Sequence, residues 1–131
     1  MKRINKNEDK IIALFVLKSF VVSVISIIAF SLLSSFTVLK LDLGDNAINI
    51  LSVFVLLLSS ILTSYISLGG IKNNGALIGV FSIIPLVIFS LFNLIFNENT
   101  IILFIIKCLL VTLSGALFGI LRVNYNRRIK V

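Results

Sequence analysis

The sequence predicts an all-α membrane protein: four transmembrane helices in an antiparallel up-and-down bundle, a single domain over residues 1–131, with both termini cytoplasmic. Three observations predict it. Of 131 residues, 59% are hydrophobic and only 13% charged, a surface that would aggregate in water. The apolar residues fall in four runs, each near the roughly 20 residues that a helix needs to cross a hydrocarbon core about 30 Å thick. The basic residues collect on one side of those runs. Because the runs are continuously apolar, without the alternation of a lipid-facing strand, helices that satisfy their own backbone are favoured over a barrel.

The first span is placed at 13–36. A basic start followed by an apolar run also describes a secretory signal. This run is longer than a signal core and no small-x-small cleavage site follows it, so a retained helix is expected. Lys18 lies inside the run. Ser19 to Leu39 is long enough to span alone, so Lys18 is expected at the membrane boundary, with Ile11 to Leu17 as an interfacial continuation of the helix. A charge at a helix centre costs about 2.5–3.5 kcal/mol on insertion scales. Ser19, Ser23 and Ser26 supply hydroxyls along this span. A turn from Lys40 to Asn46 leads to the second span, 47–69, where Ser60, Thr63, Ser64 and Ser67 recur at helical spacing before Gly69-Gly70. Hydroxyl stripes suit helix interfaces in lipid; pore lining is the lesser reading, since no carboxylate accompanies them.

A loop from Gly70 to Gly75, carrying Lys72, precedes the third span, 76–96. That span opens on Gly75-Ala76-Leu77-Ile78-Gly79, and the fourth, 101–121, closes on Gly115-Ala116-Leu117-Phe118-Gly119. Glycines four apart let helix backbones approach closely. The two segments are expected at matched membrane depth, to pack on each other within one chain or between chains. Pro85 removes an N–H in the middle of span three and frees the Phe81 carbonyl, which predicts a static kink with Ser82 as local partner, in preference to a gating hinge. After a turn from Asn97 to Thr100, span four carries Lys107 about two turns from its start. Beginning the span after Lys107 would leave too few residues before Arg122 to cross. Its ammonium therefore snorkels outward along its stem, pairs with Asp42, Asp45 or Glu98, or lines an aqueous path for an anion.

Orientation follows from the basic residues, which are retained on the cytoplasmic side. Lys2, Arg3, Lys6 and Lys10 precede the first span, Lys72 separates the second from the third, and Arg122, Arg127, Arg128 and Lys130 follow the fourth. The opposite side holds Lys40 alone, with Asp42, Asp45 and Glu98. The net charge of +7 thus sits in two tails drawn to anionic headgroups. The tails contain no folded nucleic-acid motif, and Tyr125 alone is no stacking platform, so no nucleic-acid partner is expected.

Catalysis is not expected. With no histidine, one cysteine (Cys108) and no carboxylate at membrane depth, the chain offers no catalytic residues, no metal or cofactor ligand set and no intramolecular disulfide.

One further pattern combines Leu17-Lys18-Ser19, Gly69-Gly70, Gly75 with Gly79, and Gly115 with Gly119 followed by Val123-Asn124. In these residues, spread over most of the chain, the sequence resembles the YrzE-type family of small four-helix membrane proteins of Gram-positive bacteria, whose function is uncharacterised. It departs from that pattern at Asn73 and Asn74, where further Lys or Arg would be typical, and at Phe81, where tyrosine is frequent. The resemblance implies a bacterial plasma-membrane location and the four-span topology, and implies no activity.

Two functions remain open. The leading expectation is a membrane assembly or regulatory partner that packs through Gly69, Gly70, Gly75, Gly79, Gly115 and Gly119 against itself, as a homo-oligomer, or against another membrane protein. The alternative is an oligomeric channel, transporter or pore-forming subunit. The intramembrane glutamate of small four-helix drug exporters is missing, and the charge bias opposes the dual insertion of small fluoride channels.

Overall fold

A computed structural model describes residues 6–71, 73–97 and 101–129. Among these residues all regular structure is helical: α1 (Lys6–Leu41), α2 (Asp45–Ser67), α3 (Gly75–Ser82), α4 (Ile84–Asn97) and α5 (Ile101–Arg128). Four stretches are long and apolar enough to cross a membrane, namely Lys10–Leu41, Asp45–Ser67, Gly75–Phe96 and Ile101–Arg128. Lys2, Arg3, Lys72, Glu98 and Lys130, which contribute to the charge argument, lie outside the described residues.

Two helices outrun their expected bounds. α1 has 36 residues, about 54 Å at the usual rise. No breaker interrupts it between Lys6 and Leu41; it stops where Asp42 takes a left-handed conformation, at φ 47°, just before Gly44. α5 continues through Arg127 and Arg128, whose cations in the last turn complement the negative end of its dipole.

The third of these stretches is not one helix. It breaks at Ile83, two residues before Pro85, whose missing N–H and ring exclude the regular ladder there. The Ile83 N–H donates to the Val80 carbonyl at 3.3 Å, a tightened turn, and the Ile83 carbonyl accepts from Leu86 at 2.9 Å and from Val87 at 3.1 Å. Ser82 does not serve the Phe81 carbonyl. Its hydroxyl donates instead to the Gly79 carbonyl at 2.7 Å and lies 3.3 Å from Ser64 Oγ of α2.

The interior is small and polar, and the large apolar side chains face outward. Leu68, Ile83 and Leu86 are among the few large side chains fully enclosed, whereas Ser23, Ser59, Ser60, Thr63, Ser64 and Ser82 are buried completely or nearly so. Lipid tails are as apolar as leucine, so burying leucine gains little there; close packing and hydrogen bonds hold helices together instead. Most hydroxyls satisfy themselves locally, as Ser23 does on the Phe20 carbonyl at 2.8 Å and Thr63 on the Ser59 carbonyl at 2.7 Å. Between helices, the Ser60 and Ser114 hydroxyls share a hydrogen bond. Asn126 Nδ2 donates to the carbonyls of Leu68 and Ile71, both at 2.8 Å, tying the end of α2 and the following loop to α5.

α3 and α5 meet backbone to backbone. A methyl group on Gly75 would lie 2.6 Å from the Gly119 carbonyl oxygen, and one on Gly79 would be closer still to that of Gly115. The two glycine segments therefore pack on each other in antiparallel register within one chain.

Candidate functional site

The buried face of α5 runs Lys107, Val111, Ser114, Gly115, Gly119, Val123 and Asn126. These positions recur at intervals of three and four, so one stripe of the helix turns inward along its whole length. Lys107 belongs to the stripe as firmly as the glycines do. Its side chain is only 5% exposed, so it does not snorkel to the helix end. Among the described residues neither Asp42 nor Asp45 pairs with it, and it makes no hydrogen bond; Glu98 lies outside them.

Lys107 lines a cleft of about 180 Å³ among the later part of α1, the early part of α2 and the later part of α4. α1 contributes Ser31 and Ser34, α2 contributes Ser52, and α4 contributes Ser90 and Asn93. The hydroxyls differ in what they offer. Ser31, Ser34 and Ser52 each donate to a carbonyl of their own helix, at 3.0, 2.9 and 2.7 Å, leaving only lone pairs toward the cleft. Ser90 Oγ is buried and has no partner, so its proton remains to be given. The lining carries the single positive charge of Lys107 and no carboxylate; the serine lone pairs can accept from the ammonium but do not neutralise it. That charge balance suits a small anion. The space holds a small inorganic anion or a carboxylate with a few waters.

The floor of the cleft is apolar. Ile27 and Leu56 line it and cluster with Ile83, Leu86 and Val111, all buried. On the helices this cluster falls between the Lys107 level and the Ser60–Ser114 contact, so it separates the cleft from the hydroxyl-rich lower half.

The remaining candidate residues lie at the other end. α2 stops at Ser67, so neither Gly69 nor Gly70 is a helix-packing position. Gly70 has φ 91° with open space around it and serves the turn, since a side chain there would be strained. Gly69 faces Lys18 and Arg122: a Cβ placed on it would lie 3.4 Å from Lys18 Nζ and 3.6 Å from an Arg122 terminal nitrogen. Lys18 is therefore level with the end of α2, and α1 continues past it. Pro85 lines an apolar groove of about 660 Å³ with Phe15, Ile71, Ile78 and Phe81.

Two residues of the candidate site and its helix stripe carry no local signal strong enough to mark them. Ser90 had no distinguishing neighbour. Asn126 falls on the α5 stripe that starts at Lys107, and extending the glycine spacing in both directions would have found both Asn126 and the inward direction of Lys107.

No protein-family model, curated protein or solved structure matches the chain.

Proposed function

We propose that this is a multi-pass protein of a bacterial plasma membrane, an up-and-down bundle with both termini cytoplasmic, whose outer half binds a small anion at Lys107 as the entry site of an oligomeric channel or transporter. The observation that carries the reading is the buried ammonium of Lys107, without a carboxylate partner among the described residues, in a cleft whose wall also holds the unpartnered hydroxyl of Ser90. A buried charge without a counter-ion costs several kcal/mol, and packing alone gives no reason to retain it. Intramembrane charges are usually found where a substrate or ion is handled, and lysine or arginine is the usual choice for anion pores.

Three sequence features support the orientation and location: the nine-to-one bias of basic residues, the hydropathy of the four stretches, and the resemblance to the YrzE-type family. In this orientation the cleft opens outward. The apolar layer of Ile27, Leu56, Leu86 and Val111 beneath it is the barrier that passage must open, as hydrophobic constrictions do in other channels. The assembly-partner expectation draws less support from Gly75, Gly79, Gly115 and Gly119, because these glycines pack against each other within the chain.

Binding is tested by thermal unfolding of the detergent-solubilised protein in chloride, nitrate, acetate or formate at constant ionic strength. An anion held at Lys107 raises the melting temperature with concentration by linkage, and Lys107→Met abolishes that dependence. Identical anion dependence in the two proteins would overturn the assignment.

A further inference from the structure

At the terminal end of the bundle, Lys18 of α1 and Arg122 of α5 converge on the bare face of Gly69. Both cationic groups lie within 3.6 Å of one point in space, so they are no more than about 7 Å apart and repel each other. Among the described residues, no carboxylate pairs with either one. Arg122 is held in place by aromatic rings, 4.5 Å from the centroid of Tyr65 and 5.5 Å from that of Tyr125. Its Nε is buried and has no hydrogen-bond partner.

The end of α2 explains only part of this. Its carbonyl dipoles amount to roughly half a negative charge, with the Ile66 carbonyl oxygen 3.3 Å from the same point, against two cations, which leaves a surplus of positive charge on the side of Gly69 that carries no side chain. The missing component is an anion with several acceptor oxygens, as a phosphate has.

The setting specifies which phosphate. Ser19 and Ile71, close in sequence to Lys18 and Gly69, line the 660 Å³ groove between α1 and the α3–α4 break. The other walls are apolar, with Phe15, Ile78, Pro85 and Ile88 among them. The groove lies beside the break at Ile83, between α1 and the residues on either side of that break, and its volume accommodates a single acyl chain. We propose that Lys18, Arg122 and Gly69 bind the phosphate of an anionic membrane phospholipid, with one of its acyl chains in this groove. The proposal rests on the chain being a membrane protein and is independent of the anion cleft at Lys107.

The chain supplies its own reporter. It has no tryptophan and only two tyrosines, Tyr65 and Tyr125, both against Arg122. The full chain in mild detergent is titrated with short-chain phosphatidylglycerol, phosphatidylcholine of the same chain length, and inorganic phosphate, and tyrosine emission is followed. Phosphatidylglycerol should give a saturable change at concentrations at least tenfold below those needed for phosphatidylcholine. The change should be lost in Arg122→Gln and weakened at least tenfold in Lys18→Gln. Lys18 is exposed, so the latter variant keeps the bundle intact even if Arg122→Gln does not fold. Equal responses to the two lipids, or a response unchanged in Lys18→Gln, would overturn the proposal. Saturation by inorganic phosphate at the same concentrations would overturn the lipid assignment in favour of a free-phosphate site.

Discussion

Gly119 and Gly75 pack so closely that the Gly119 carbonyl oxygen would stand 2.6 Å from a methyl group on Gly75. Neither backbone can retreat, since each belongs to a helix. Gly75→Ala and Gly79→Ala should each destabilise the bundle by about 1–3 kcal/mol, the cost of overpacking. Gly44 has open space around it and is the N-cap of α2, so Gly44→Ala should cost only the weaker cap, under about 1 kcal/mol. Equilibrium unfolding in mixed detergent checks the ranking; equal effects at all three positions would contradict the backbone contact.

Lys107→Met should stabilise the protein while removing anion binding. Replacing an uncompensated buried charge by an apolar side chain of similar length removes its desolvation cost, for a gain of about 1–4 kcal/mol. The measurement is the unfolding midpoint without added anion. A lower midpoint would mean that Lys107 makes a stabilising interaction with the protein.

Asn126→Ala should take the side-chain donor from the Ile71 carbonyl and one of two donors from the Leu68 carbonyl, which still accepts from the Ile71 N–H at 3.1 Å, and cost about 1–3 kcal/mol. Hydrogen exchange should accelerate at Leu68–Ile71, the segment that the amide ties to α5. Unchanged exchange there would show that water replaces Asn126 without loss.

Pro85→Ala should restore an N–H able to reach the Phe81 carbonyl and extend α3 toward α4. Slow exchange of the amide gained at position 85, with a narrower groove beside α1, is the expected outcome. Rapid exchange would mean that packing around Ile83 holds the break without the proline.

Much of the fold was legible in the sequence, because a span announces itself by length and composition alone. The ends of α1 were not, since helix-compatible residues continue past the apolar run and only Asp42 stops it. The break was expected at Pro85 and occurs at Ile83, because proline disrupts the ladder upstream of its own position. The direction of Lys107 was obscured by the apolar residues around the whole circumference of α5: without an amphipathic contrast, only the glycine stripe could orient the helix. The contact of Gly69 with Lys18 and Arg122 joins three elements distant in sequence, which no local pattern encodes.

The apolar floor gives a prediction of its own. Leu86→Ser, at a fully buried position between the cleft and the hydroxyl-rich half, should lower the barrier to passage and raise anion leak in reconstituted vesicles. Leak equal to that of the unaltered protein would mean that the path does not cross this layer.

If Lys107 receives an anion on its way through the membrane, the protein conducts anions, and flux into proteoliposomes reads that conduction. The purified full chain should admit nitrate or chloride down a gradient well above protein-free vesicles, and Lys107→Met should reduce that flux at least tenfold. No flux above the lipid background, or the same flux with methionine at position 107, would contradict the account.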